Sequence, residues 1–168
     1  MQMLTDLIEE IHAAFPPGEM PREALSFNEV CKIFARDPAF RPVAAWTEIT
    51  SEDLNQGNLG SLILMMSEPT FVAWAPAWLT NVAVYKMEVR EAVIGFVGAC
   101  SPKVAEAVGR LDRLKERVNR LNAKQRLAVA HVGDCLAGES DVVAFFEEDV
   151  GRGIADAWAR YAREGFPA

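Results

Sequence analysis

Ser67-Glu68-Pro69-Thr70-Phe71-Val72-Ala73-Trp74-Ala75-Pro76-Ala77-Trp78-Leu79-Thr80-Asn81-Val82-Ala83-Val84-Tyr85 is the stretch that decides the fold. Phe71, Trp74, Trp78, Val82 and Tyr85 recur at spacings of three and four, the period of an α-helix and not of a strand. Ser67 caps it, and Pro69 falls in the first turn, where a missing N–H costs nothing. The segment is apolar on nearly every face, which predicts a central, buried helix. Pro76 lies in its interior, and a kink is expected there.

The helical period continues outward in both directions. Leu4, Leu7, Ile8, Ile11 and Phe15 form an amphipathic stripe that ends at Pro16-Pro17-Gly18. Ser26-Phe27-Asn28-Glu29 is a capping box opening a helix with Phe27, Val30, Cys31 and Phe34 inward, closed by Asp37-Pro38. Thr50-Ser51-Glu52-Asp53 reads as a further helix start with acids in its first turn. After the central helix, Val89, Val93, Phe96 and Val97 mark a helix to about Ala99. Val104, Ala107, Leu111, Leu114, Val118 and Leu121 then repeat through one long charged helix. Asn122 to Gln125 restarts the helix with an N-x-x-Q cap, and Gly138 ends it. Ser140 caps the last helix, in which Gly151 and Gly153 are expected to cause a break or bend. No useful stretch alternates with period two. The expectation is an all-α, single compact bundle of about seven helices, one domain over residues 1–168, built around a Pro-kinked central helix.

At 168 residues, 51% of them apolar, the chain can bury a sizeable core without metals or disulfides. Its net charge of −7 excludes a uniformly positive, nucleic-acid- or membrane-binding surface. Cys31, Cys100 and Cys135 are widely spaced and form no CxxC, so they read as small buried hydrophobes in a reducing compartment. Met1 to Glu10 has no positive leader-like region, and no apolar stretch approaches the roughly 20 residues of a membrane span. A cytoplasmic protein without a membrane segment is expected, its oligomeric state left open.

The charge is uneven. Residues 102–126 hold eight Lys/Arg against three Asp/Glu, a local net of +5 within a remainder of −12. Arg110, Arg113, Arg117 and Arg120 step by three and four, which predicts a shared basic face. No aromatic is interleaved for base stacking, so nucleic-acid binding there is the lesser reading. Glu147-Glu148-Asp149 is the densest acidic run, able to meet a cation or a basic partner but most simply a solvated helix face.

Chemistry-bearing patterns are sparse. Glu9 and His12 form one E-x-x-H, whereas a carboxylate-bridged di-metal bundle needs two and more glutamates besides. His131, Asp134 and Cys135 share a helix face at spacings compatible with a metal, although the preferred reading leaves His131 partly packed. Cys135 also lies on an apolar stripe, which suits a structural thiol better than a nucleophile. Gly57-Asn58-Leu59-Gly60 matches no phosphate-binding loop. No catalytic residue, metal or cofactor is expected.

Three segments carry a family resemblance: Leu7-Ile8-Glu9-Glu10-Ile11 to Phe15; Trp46-Thr47-Glu48-Ile49 through Leu54, Leu62 to Met65 and Phe71 to Pro76-Ala77-Trp78-Leu79; and Arg120-Leu121-Asn122-Ala123-Lys124-Gln125-Arg126-Leu127-Ala128-Val129. Together they resemble a family of small bacterial proteins catalogued as a domain of unknown function (number 6714). The chain departs from that pattern at Trp78, where tyrosine is expected, and in the length of the charged helix 103–121. The resemblance implies a helical domain and carries no activity or catalytic residue with it.

The role expected from all this is a non-catalytic protein-binding module, most specifically an immunity-type protein whose acidic surface occupies the basic cleft of a bacterial toxin. Glu9, Glu10, Glu147, Glu148 and Asp149 are the expected contacts, with Trp158 and Tyr161 as aromatic anchors. The alternatives are a helical enzyme, metal or ligand binder with a pocket around Trp74, Trp78 and His131, and a nucleic-acid binder acting through Arg110 to Arg126.

Overall fold

Every regular element in the computed structural model is helical, and the structure describes residues 2–18, 20–35 and 41–168. Helix α1 spans Gln2–Ala14. The short α2, Phe27–Val30, runs into a π-helical turn at Cys31–Ala35. A 3-10 turn at Trp46–Glu48, α3 at Ser51–Leu54 and a 3-10 segment at Leu59–Met65 lead to the central α4, Glu68–Tyr85. Beyond a 3-10 turn at Lys86–Val89 come α5 (Arg90–Cys100), α6 (Pro102–Ala107) and α7 (Leu111–Arg120). The chain ends with α8 (Ala123–Leu136), α9 (Ser140–Phe146) and α10 (Val150–Glu164). No described helix is long and apolar enough to cross a membrane.

Three predicted helix starts carry side-chain caps, whereas Ser67 makes no cap bond and Ser140 is the first residue of α9, with Glu139 in the cap position. Ser26–Glu29 and Asn122–Gln125 both close reciprocal capping boxes. Thr50 and Asp53 form another at the start of α3. Burial pushes the Asp53 carboxyl upward. The Thr50 N–H, the Arg41 guanidinium at 2.5 Å and the Thr50 hydroxyl outweigh that, and hold it below its ordinary value.

Among the described residues there are ten α-helical segments where the periodicity predicts about seven helices. The long charged helix is two, because the chain turns at Val108–Arg110 with Gly109 at φ +69°, a left-handed conformation glycine adopts without strain. The last helix is also two, but the break lies at Glu147–Asp149 rather than at Gly151 or Gly153. Glu147 takes the left-handed conformation that ends α9, and Asp149 accepts the Arg152 N–H to start α10. Gly151 serves packing instead: a Cβ there would stand 2.5 Å from the Ala137 nitrogen, and one on Gly133 would stand 2.8 Å from the Ala155 nitrogen. These two glycines let α8 and α10 cross backbone to backbone. Gly138 ends α8 as expected, at φ +72°. The predicted stop at Asp37-Pro38 lies outside the described residues. Phe34, expected inward, is exposed.

Helix α4 runs through Pro76 at the centre of one continuous buried cluster that takes in residues from α1 to α10. Trp74, Trp78 and Trp158 are among its largest members. All four tryptophans donate their indole N–H to a backbone carbonyl: Trp46 to Phe15 (3.0 Å), Trp74 to Leu25 (2.8 Å), Trp78 to Gly60 (2.6 Å) and Trp158 to Cys100 (2.7 Å). Each ring thus fills core volume while satisfying a main-chain acceptor, and for Phe15 and Cys100 that acceptor lies at a helix C-terminal end, where helix geometry leaves carbonyls unpaired.

Candidate functional site

The predicted basic face loses one of its four arginines to the core. Leu114, Val118 and Leu121 are buried, and Arg117 lies three residues from Leu114 and four from Leu121, so the helix carries it inward with them. Arg117 is 5% exposed. Its guanidinium donates to the carbonyls of Ala99 (3.3 Å), Ile63 (3.4 Å), Leu64 (3.0 Å) and Met66 (3.3 Å), and stands 5.1 Å from the Phe71 ring centre. Those carbonyls belong to the end of α5 and the end of the Leu59–Met65 segment, so two negative helix ends converge on one cation. Burial draws Arg117 below its ordinary value, yet a guanidinium remains charged. Burial also pushes the neighbouring Cys100 thiol up to about 12, leaving it neutral.

Arg126 acts similarly, donating to Val118 (2.7 Å) near the end of α7 and to Tyr161 (3.1 Å) near the end of α10. Lys103 pairs with Glu148, and Arg120 with Glu23 at 3.3 Å. Arg113 leans toward the Leu64 carbonyl at 3.4 Å. Arg110, Arg113 and Arg120 do face solvent. Much of the basic segment is nevertheless committed to closing helix ends.

The predicted acidic contacts divide. Glu9 is exposed on α1. Glu147 is exposed at the turn after α9, Glu148 is engaged by Lys103, and Asp149 accepts from the backbone N–H groups of Arg152 (3.1 Å) and Gly138 (3.2 Å). That run is therefore a helix junction held by its own carboxylates. Trp158 and Tyr161, expected as anchors, are 0% and 2% exposed. They meet edge to face at 5.8 Å inside the core and present nothing to a partner. Burial raises the Tyr161 hydroxyl above its ordinary value.

Glu10 leads to the site that local patterning missed. Its carboxylate lies 2.7 Å from Nδ1 of His131, joining α1 to α8 across 121 residues of sequence. Beside this pair a groove of about 610 Å³ opens between α1, α8 and the end of α4. Met3, Leu4, Leu7, Ala83 and Val84 give it apolar surface. Asp6, Glu10 and Asp134 line it with carboxylates, against the single amine of Lys86. Lys86 in turn pairs with Glu139. Met3 is 85% exposed and Val84 38%, so apolar surface lies open to water at the rim.

The groove suits recognition better than covalent chemistry. Cys135 lines it half-buried, and burial raises its thiol above the ordinary value, Lys86 opposing and Asp134 and Glu139 adding to the shift. That opposes formation of a thiolate. The imidazole of His131 is engaged by Glu10, and Asp134 faces Arg152 at 3.4 Å. Among the described residues no three His, Cys, Asp or Glu side chains are grouped to hold a metal. The pocket expected around Trp74, Trp78 and His131 does not form: both indoles pack against Phe27, at 5.3 and 6.2 Å, while His131 faces α1. His12, of the E-x-x-H, lies against the Trp46 ring at 4.7 Å.

The chain matches no family model, no curated protein and no solved structure in comparisons with each.

Proposed function

We propose that this chain is a non-catalytic protein-binding module of the immunity type, a cytoplasmic bacterial protein that occupies and neutralises a basic toxin. The observation that carries this reading is the α1–α8 groove, where apolar side chains exposed at the rim stand beside three carboxylates and one amine. Apolar surface open to water, bordered by an excess of negative charge, is the anatomy of an interface awaiting a partner of opposite charge. The net charge of −7 extends the same bias over the surface and speeds encounter with a cationic partner. The reading replaces the Glu147–Asp149 run and the Trp158–Tyr161 anchors with Asp6, Glu10 and the rim of Met3 and Val84.

Inward-facing Arg117 and Arg126 weigh against nucleic-acid binding through the basic segment. The test is co-expression in the native host with the basic protein that co-purifies. The chain should relieve that protein's toxicity, and a doubly substituted Asp6→Lys, Val84→Glu chain should fail to do so while remaining folded. A co-purifying partner without toxicity, or relief undiminished by the double substitution, overturns the role.

A further inference from the structure

We infer that the groove receives a single basic amphipathic α-helix of the partner, its cationic residues reading Asp6 and Glu10 along α1. The inference rests on the binding role proposed above and adds the shape and chemistry of what binds. Asp6 and Glu10 are four residues apart on one helix, so their carboxylates stand about 6 Å apart along its axis. Lysines or arginines four apart on a facing helix have the same repeat and meet both. The part of α1 that lines the groove, Met3 to Glu10, offers a wall about 11 Å long, enough for about two turns of an incoming helix. Met3, Leu4 and Val84 give the apolar stripe of that helix a surface to cover.

The mode follows from what the fold offers. Among the described residues there is no strand, so an incoming segment finds no sheet edge to extend. Seating an amphipathic helix between helices is a recognition mode that satisfies the partner's backbone internally and suits a groove walled by helices. Asp6 has no ion-pair partner among the described residues. Glu10 has, among the described residues, only the imidazole of His131. An arriving cation therefore gains one unpaired carboxylate and shares the second with His131, whose ring then lies beside a new positive charge.

The probe is a fluorescein-labelled, 18-residue Leu/Lys peptide with lysines at four-residue spacing, set against a scramble of the same composition that has no apolar stripe. Fluorescence anisotropy with the full chain at physiological salt should show the amphipathic peptide binding at least tenfold tighter. Asp6→Lys and Val84→Glu should each weaken it tenfold or more, and Glu147→Lys, on a distant turn, should leave it within twofold. The His131 ring resonances should move on binding in NMR spectra. Unchanged unfolding midpoints in urea establish that the variants are folded. Equal binding of the scramble, an equal loss with Glu147→Lys, or unmoved His131 signals each overturn the inference. Loss of peptide binding with toxin relief intact would sink the helix-in-groove mode alone. Peptide binding without a toxic partner would leave the mode standing and remove the role.

Discussion

Arg117 and Glu10 both sit on helices in charged stretches of the chain, and the fold treats them in opposite ways. Around Arg117 the cation is withdrawn from water and surrounded by four carbonyls and a phenyl ring. Around Glu10 a carboxylate stays at the edge of an open groove, held by one imidazole. The first region satisfies its charge internally and has no use for a partner. The second leaves carboxylates and apolar carbon facing solvent together. Charge count alone makes the basic segment look more specialised; hydrogen-bond satisfaction points to the other region as the one built to bind.

Breaking the internal region should cost the most. Arg117→Met removes charge-assisted hydrogen bonds from four buried carbonyls, and should lower stability by about 3 kcal/mol in urea unfolding. Arg117→Lys should recover only part of this, because an ammonium cannot fork to both helix ends. Gly133→Val forces α8 and α10 apart at a backbone contact and should cost about 2 kcal/mol by the same measurement. A smaller loss, about 1 kcal/mol, is expected for Asp53→Asn near neutral pH. Because the folded carboxyl of Asp53 is held below its ordinary value, its contribution is present above that value and disappears as pH falls through the lowered one. The stability gap between wild type and Asp53→Asn should therefore close on acidification, and a gap constant with pH would remove the assigned role of the ionised carboxylate. At the other extreme, Asp6→Asn and Val84→Ser in the groove should each change stability by less than about 0.5 kcal/mol, since neither is buried. A large loss from either would erase the contrast between the two regions.

The local features were readable from sequence because they depend on neighbours. Ser26, Thr50 and Asn122 announce their helices by side chains that bond three residues on, and the all-helical class follows from the period around Trp74 and Trp78. The inward turn of Arg117 was also present in the pattern: it falls between Leu114 and Leu121 on the apolar stripe, a position a stepwise count of arginines overlooks. Gly151 looks like a helix breaker by propensity, but its role is set by Leu136 and Ala137 of another helix. The groove was legible only in pieces, as Glu10 on α1 and as His131, Asp134 and Cys135 on one face of α8. Its defining contact joins Glu10 to His131, and nothing near either residue in the chain signals the other.

The placement of the tryptophans has a spectroscopic consequence. All four indoles are buried and hydrogen-bonded to main-chain carbonyls, and none lines the α1–α8 groove. Intrinsic emission should therefore report on the interior alone, shifting to the red when the core opens to water. A peptide without tryptophan could be titrated into the groove with that signal unchanged, so folding and occupancy can be followed in the same cuvette by two independent colours of light.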